Sequence, residues 1–79
     1  MLDIWVRLSP KEKAVLKQFG AALRRVRTGQ KMTQERLAEL TDLHLRTIQK
    51  FEAGDINPLL TTLKRLQAAL GCDWDSLMK

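Results

Sequence analysis

From Ser9 onward, apolar residues recur at helical spacing, but capping residues and glycines cut the pattern into five short pieces. Nothing else in the sequence limits the possible folds so tightly. Isolated helices shorter than about 12–15 residues are marginal in water, so such pieces must hold one another up. Leu and Ala dominate the apolar fraction, which favours helices over strands. With only 2 Pro and 4 Gly among 79 residues, the connections must be short. These features predict one all-α domain, since a chain of this length supports a single small core.

The individual pieces can be placed by their end signals. Ser9, Pro10 and Glu12 have capping-box spacing and open a first helix, whose stripe is Leu16, Phe19, Leu23 and Val26. Its end is expected near Arg27–Thr28, with Gly29 as the stop. Thr33 caps a second helix, with Leu37, Ala38 and Thr41 facing inward, ending near Thr41–Asp42. A third helix is expected from about Leu45 to Phe51, closed by Ala53-Gly54, with Ile48 and Phe51 on its inner edge. Asn57-Pro58 opens a fourth, with Leu59, Leu60, Leu63, Leu66 and Leu70 as its apolar face and Gly71 as its stop; Asp73 caps a last turn, Trp74 to Met78. Ahead of these, Leu2, Ile4, Val6 and Leu8 alternate with Asp3, Trp5 and Arg7, a period-2 pattern that predicts an extended arm over residues 1–8 beside a domain at 9–79. A lone strand cannot satisfy its own hydrogen bonds, so the arm must fray, pack on the domain or pair with a second copy.

Charge separates the two halves. Residues 7–50 carry eleven basic side chains against four acidic ones, whereas residues 51–79 carry three against four. A basic front suits a polyanionic partner. Enzyme chemistry is not expected: His44 and Cys72 stand alone as histidine and cysteine, and no Gly-rich phosphate loop or metal-ligand spacing occurs, so neither cofactor nor metal is expected. A single cysteine permits no internal disulfide; Cys72 reads as a small core residue. No membrane span or signal-peptide pattern is present, which predicts a cytoplasmic protein with no membrane partner.

Residues 34–54 concentrate the functional signal. Two short helices separated by three or four residues make a helix-turn-helix. Ala38 lets the two approach closely, Leu43 fills the space between them, and Ile48 with Phe51 anchors the third helix to the core. The leading end and outer face of that helix are left for a groove about 12 Å wide, which admits one helix. The stretch resembles the lambda-repressor/Cro-like, or xenobiotic-response-element, family. The resemblance runs from residue 19 to 78 through Phe19-Gly20, Leu23, Arg27, Thr33-Gln34, Leu37-Ala38, Leu43, Thr47-Ile48, Glu52, Gly54, Pro58, Leu63 and Leu70-Gly71.

The resemblance implies a five-helix DNA-binding domain that regulates transcription, most often as a repressor, acting as a homodimer on a palindromic operator. It implies that Gln34 meets a phosphate at the start of the second helix, where the helix dipole favours an anion. It places Leu45, Arg46 and Lys50 at base edges, with Thr47 and Gln49 beside them. Arg46 can give two donors to guanine and Leu45 an apolar contact to a thymine methyl; Lys50 has base and phosphate both open to it. Arg24, Arg25, Lys31 and Arg36 are further backbone candidates. Arg27 and Glu52 match the family's charged pair, a structural brace.

Three positions depart from the family pattern. Asp42 replaces the usual Gly in the turn, a position that often needs positive φ. His44 replaces Ser or Thr as cap of the third helix, and reads equally as a phosphate donor or a plain surface histidine. Leu40 stands where relatives are polar. An alternative follows from the same resemblance: an antitoxin or controller whose main task is to bind a partner protein such as a toxin, with autoregulatory DNA binding. Its candidate surfaces are the arm with Trp5 and the last turn with Trp74, Leu77 and Met78, although Trp74 matches a core position of the family.

Overall fold

The structure, a computed structural model, describes residues 7–78. It consists of α1 (Pro10–Gly29), α2 (Gln34–Thr41), α3 (Leu45–Ala53), α4 (Leu60–Leu70) and α5 (Trp74–Met78), with no strand among the described residues. Local signals start most of these elements where the sequence predicts. Ser9 Oγ accepts from the Glu12 N–H at 3.1 Å while Glu12 Oε1 accepts from the Ser9 N–H at 2.7 Å, a complete capping box on α1. Thr33 Oγ1 caps α2 by accepting from the Arg36 N–H at 3.0 Å, and Asp73 Oδ1 accepts from the Ser76 N–H at 3.1 Å ahead of the last turn. The extended-arm pattern at residues 1–6 lies outside the described residues, and Arg7 and Leu8 have no regular secondary structure.

Helix α1 lies across the back of the molecule, packing on α3 and α5, while α2 packs on α3 and α4. Phe19, Leu23, Leu37, Ile48, Phe51, Leu66, Leu70 and Leu77 bury together in the centre. Gly20 explains how closely α1 and α3 approach: a Cβ there would collide with the Phe51 carbonyl oxygen. Gly54 is required twice. It ends α3 at φ +73°, and a Cβ would come within 2.8 Å of Lys17 Cα.

Four expectations are corrected. Gly29 is the last residue of α1 rather than its left-handed stop; Gln30 caps the helix, and Lys31 takes the positive φ of 57° that reverses the chain. Gln30 also donates through Nε2 to the Leu70 carbonyl at 2.6 Å, which satisfies an end group of α4 and ties the loop down. Helix α3 extends to Ala53, two residues past Phe51, because Gly54 makes the exit. Helix α4 begins at Leu60, so Leu59 is its cap and neither belongs to the core; they are 71% and 72% exposed. Trp74 is exposed and stands outside the core cluster, which Leu77 enters instead. Cys72 is half-buried against that cluster, as expected. No helix among the described residues is long and apolar enough to cross a membrane.

Candidate nucleic-acid interface

The turn between α2 and α3 takes the shape that the sequence requires of it. Asp42 occupies the left-handed region at φ 57°, ψ 39°, and its N–H closes α2 by donating to the Ala38 and Glu39 carbonyls. Asp visits this region more cheaply than most residues, which is how the chain dispenses with Gly here. Leu43 is half-buried against the core. His44 then caps α3 with extended backbone, but its exposed side chain makes no capping hydrogen bond. Helix α3 thus differs from α1 and α2: its first-turn N–H groups, at the positive end of the helix dipole, have no side-chain acceptor.

Arg46, Gln49 and Lys50 are exposed and line one shallow concavity with Ala53 and Asp55 on the outer side of α3. Their spacing, three and four residues apart, puts them on one helical face. Leu45 and His44 open instead onto the adjoining concavity formed with Glu35, Glu39, Asp42 and Leu43. Leu45 and Thr47 are half-buried. The residues expected at base edges therefore form two contiguous surfaces: a polar face at 46, 49 and 50, and an apolar shoulder at 45.

Gln34 holds a more specific position than a free phosphate contact would need. Its Nε2 donates to Glu52 Oε1 at 3.0 Å, across the α2–α3 packing. Glu52 also receives both ends of the Arg27 guanidinium, from Nε to Oε2 at 2.6 Å and from Nη2 to Oε1 at 3.0 Å. The Arg27 Nη1 group donates to the Met32 carbonyl at 2.8 Å, just ahead of α2. One bidentate pair, with side chains 9% and 5% exposed, thus joins α1, the entry to α2 and the end of α3. The Glu52 hydrogen bond raises the Arg27 pKa; burial opposes this, and the charges of Glu52 and Glu35 add to it. No buried side-chain nitrogen or oxygen among the described residues lacks a partner. The recognition helix is therefore braced without the cost of a stranded polar group.

The other basic candidates divide. Arg36 pairs with Glu39 at 3.0 Å on the exposed face of α2. Arg25 Nη2 reaches the Ser76 carbonyl at 3.5 Å, while Arg24 and Lys31 are exposed. Two features were not anticipated from the sequence. Asp55 enters the concavity of the polar face and pairs with Lys17 at 3.8 Å. The carboxylates of Glu35, Glu39 and Asp42 collect beside Leu45. The acidic grouping was open to discovery, because Glu35 and Glu39 share one face of α2 and Asp42 follows its end; Asp55 follows Gly54, and the left-handed exit at Gly54 turns the chain there.

Two short helices joined by a tight left-handed turn, with a braced second member presenting an exposed polar face, define a DNA-binding helix-turn-helix protein. The model of the helix-turn-helix family matches residues 23–77, and the chain belongs to this DNA-binding family. It is 34% identical over 61 residues to the SPbeta prophage-derived uncharacterized HTH-type transcriptional regulator YonR of Bacillus subtilis, a match covering 77% of the chain and 56% of that protein. The chain thus spans little more than half the length of that relative. Among solved structures it resembles the restriction-modification controller protein C.AhdI from Aeromonas hydrophila, with a TM-score of 0.77 and 34% identity, over 81% of this chain and 97% of that one.

Proposed function

We propose that the protein is a cytoplasmic, non-catalytic repressor that binds a palindromic operator as a homodimer, with α3 in the major groove of each half-site. The observation that carries this reading is the joint exposure of Arg46, Gln49 and Lys50 on one face of a helix whose far end is fixed by Arg27 and Glu52. Fixing the helix matters because bidentate contacts to base edges demand defined geometry. In this reading Arg46 addresses guanine, Gln49 is suited to adenine, Lys50 takes a base or a phosphate, and Leu45 packs on a thymine methyl from the shoulder. Thr47 supports them at the groove wall. The amide of Gln34, already held on one side by Glu52, and His44 with the uncapped first turn of α3 meet flanking phosphates.

A second reading is favoured by the likeness to the restriction-modification controller protein C.AhdI. Here the same DNA contacts would serve a controller. A partner-binding role, with a toxin as the partner, would draw on exposed apolar residues such as Leu59 and Leu60. Selection of binding sites from random duplex DNA at fixed salt tests the main reading. A palindrome with half-sites about 34 Å apart, one turn of DNA, is expected. Recovery of no preferred sequence would overturn it.

A further inference from the structure

The polar concavity on the outer side of α3 holds one carboxylate, that of Asp55, beside Arg46, Gln49, Lys50 and Ala53. Arg46 and Lys50 can only donate hydrogen bonds, Gln49 can donate and accept, and a carboxylate can only accept. Asp55 thus sets an acceptor among donors on a face offered to a polyanion. A phosphate approaching it would be repelled, so Asp55 does not serve as a backbone contact.

Stability does not account for the residue. Its carboxylate meets Lys17 Nζ at 3.8 Å, with the Lys17 and Asp55 side chains 66% and 60% exposed. Pairs this loose and this well solvated contribute little. The Lys17 ammonium makes its shorter bond elsewhere, donating to the Ala53 carbonyl at 2.9 Å. Among the described residues, the Asp55 carboxylate accepts no hydrogen bond. Its backbone, by contrast, is fixed. The Asp55 N–H donates to the Lys50 carbonyl at 2.9 Å, and Gly54 sets the intervening turn at φ +73°. A free acceptor carried on a fixed backbone is suited to reading a base edge.

Few base edges match it. In the major groove guanine presents acceptors alone, and thymine an acceptor with a methyl group. The amino group of adenine stands beside the N7 acceptor, which opposes a carboxylate. Cytosine presents an amino donor without an acceptor beside it. We propose that Asp55 is a specificity-determining residue of the DNA face, accepting a hydrogen bond from the N4 amino group of one cytosine in each half-site. The assignment rests on α3 being the base-reading helix. From Arg46 to Ala53 that helix advances by about 10 Å, or about three base-pair steps. The cytosine therefore lies at a different position from the guanine addressed by Arg46.

Asp55→Ala tests this on the selected operator and all its single-base variants at one salt concentration. Wild type should prefer cytosine by about tenfold at one position per half-site, distinct from the position that Arg46→Ala affects. Asp55→Ala should lose that preference and keep the others. Replacing that cytosine with 2-pyrimidinone, which lacks the amino group, should cost wild type the same factor and Asp55→Ala nothing, as a coupled pair requires. Base preferences of Asp55→Ala identical to wild type at every position, whatever its overall affinity, would overturn the assignment and leave α3 as the reading helix. Equal losses by both proteins on removal of the amino group would do the same. Recovery of no preferred sequence would overturn the reading of α3 itself, and this assignment with it.

Discussion

At the scale of single residues, the molecule turns on Glu52. Its carboxylate takes three hydrogen bonds, two from Arg27 and one from Gln34, and these connect the scaffold with the residue proposed to meet phosphate. Sequence resemblance identified the Arg27–Glu52 pair. It did not reveal that Gln34 shares it, because a hydrogen bond between positions 34 and 52 depends on how α2 crosses α3. Arg27→Met should cost about 3–5 kcal/mol in urea unfolding, since Glu52 would be left charged and largely buried. A loss under 1 kcal/mol would show the brace to be dispensable. The raised Arg27 pKa keeps the guanidinium's contribution constant across the ordinary pH range, and it fades only in strong alkali. Cys72 behaves differently: burial, the largest influence, pushes its thiol above the ordinary 9.0. The folded state then retains this proton more firmly than the unfolded state. The resulting stabilisation is complete below pH 9 and is lost as pH rises through the raised folded value. Thermal unfolding of wild type and Cys72→Ala should therefore respond alike to pH below 9, with wild type falling faster above it; parallel curves throughout would contradict this.

At the scale of elements, the sequence was most legible where a side chain acts on its own neighbours. Ser9 with Glu12, Thr33, Asp73, Gly54 and Gly71 each mark an end through contacts or dihedrals only a few residues away. It was least legible where the backbone had a choice. Gly29 looks like a stop, but the chain reverses at Lys31, and a Cβ on Gly29 would meet nothing. The two glycines should accordingly respond in opposite senses. Gly29→Ala should stabilise by about 0.5–1 kcal/mol through helix propensity. Gly54→Ala should cost at least about 1–2 kcal/mol for the left-handed residue alone, before the collision with Lys17 is counted. Matching signs in urea titrations would refute the assignment of these ends. Leu59 and Leu60 misled for a related reason: periodicity marks a residue as apolar without saying which turn first becomes helical. Helix α3 lacks a side-chain cap because His44 does not supply one. His44→Ser should add about 0.5–2 kcal/mol of stability, read as a higher unfolding midpoint; an unchanged midpoint would mean the first turn is already satisfied.

For the whole molecule, the basic front inferred from charge counts proves to be divided. The outer face of α3 is cationic, while Glu35, Glu39 and Asp42 gather beside its leading end. Such a boundary biases the orientation of the duplex, since most of its phosphates are drawn to the cationic side. The exposed polar triplet could be foreseen because helical spacing and the buried positions Ile48 and Phe51 together dictate which face of α3 points outward. Its detailed flanks could not, since they assemble from α2 and the segment after Gly54. The central claim is that this triplet reads bases, and the most direct measurement compares wild type and Arg46→Ala on the selected operator and all its single-base variants at one salt concentration. The substitution should cost roughly 1–3 kcal/mol and erase discrimination at one position per half-site, leaving the other positions as they were. A uniform loss across every variant, or base preferences identical to wild type, would contradict it.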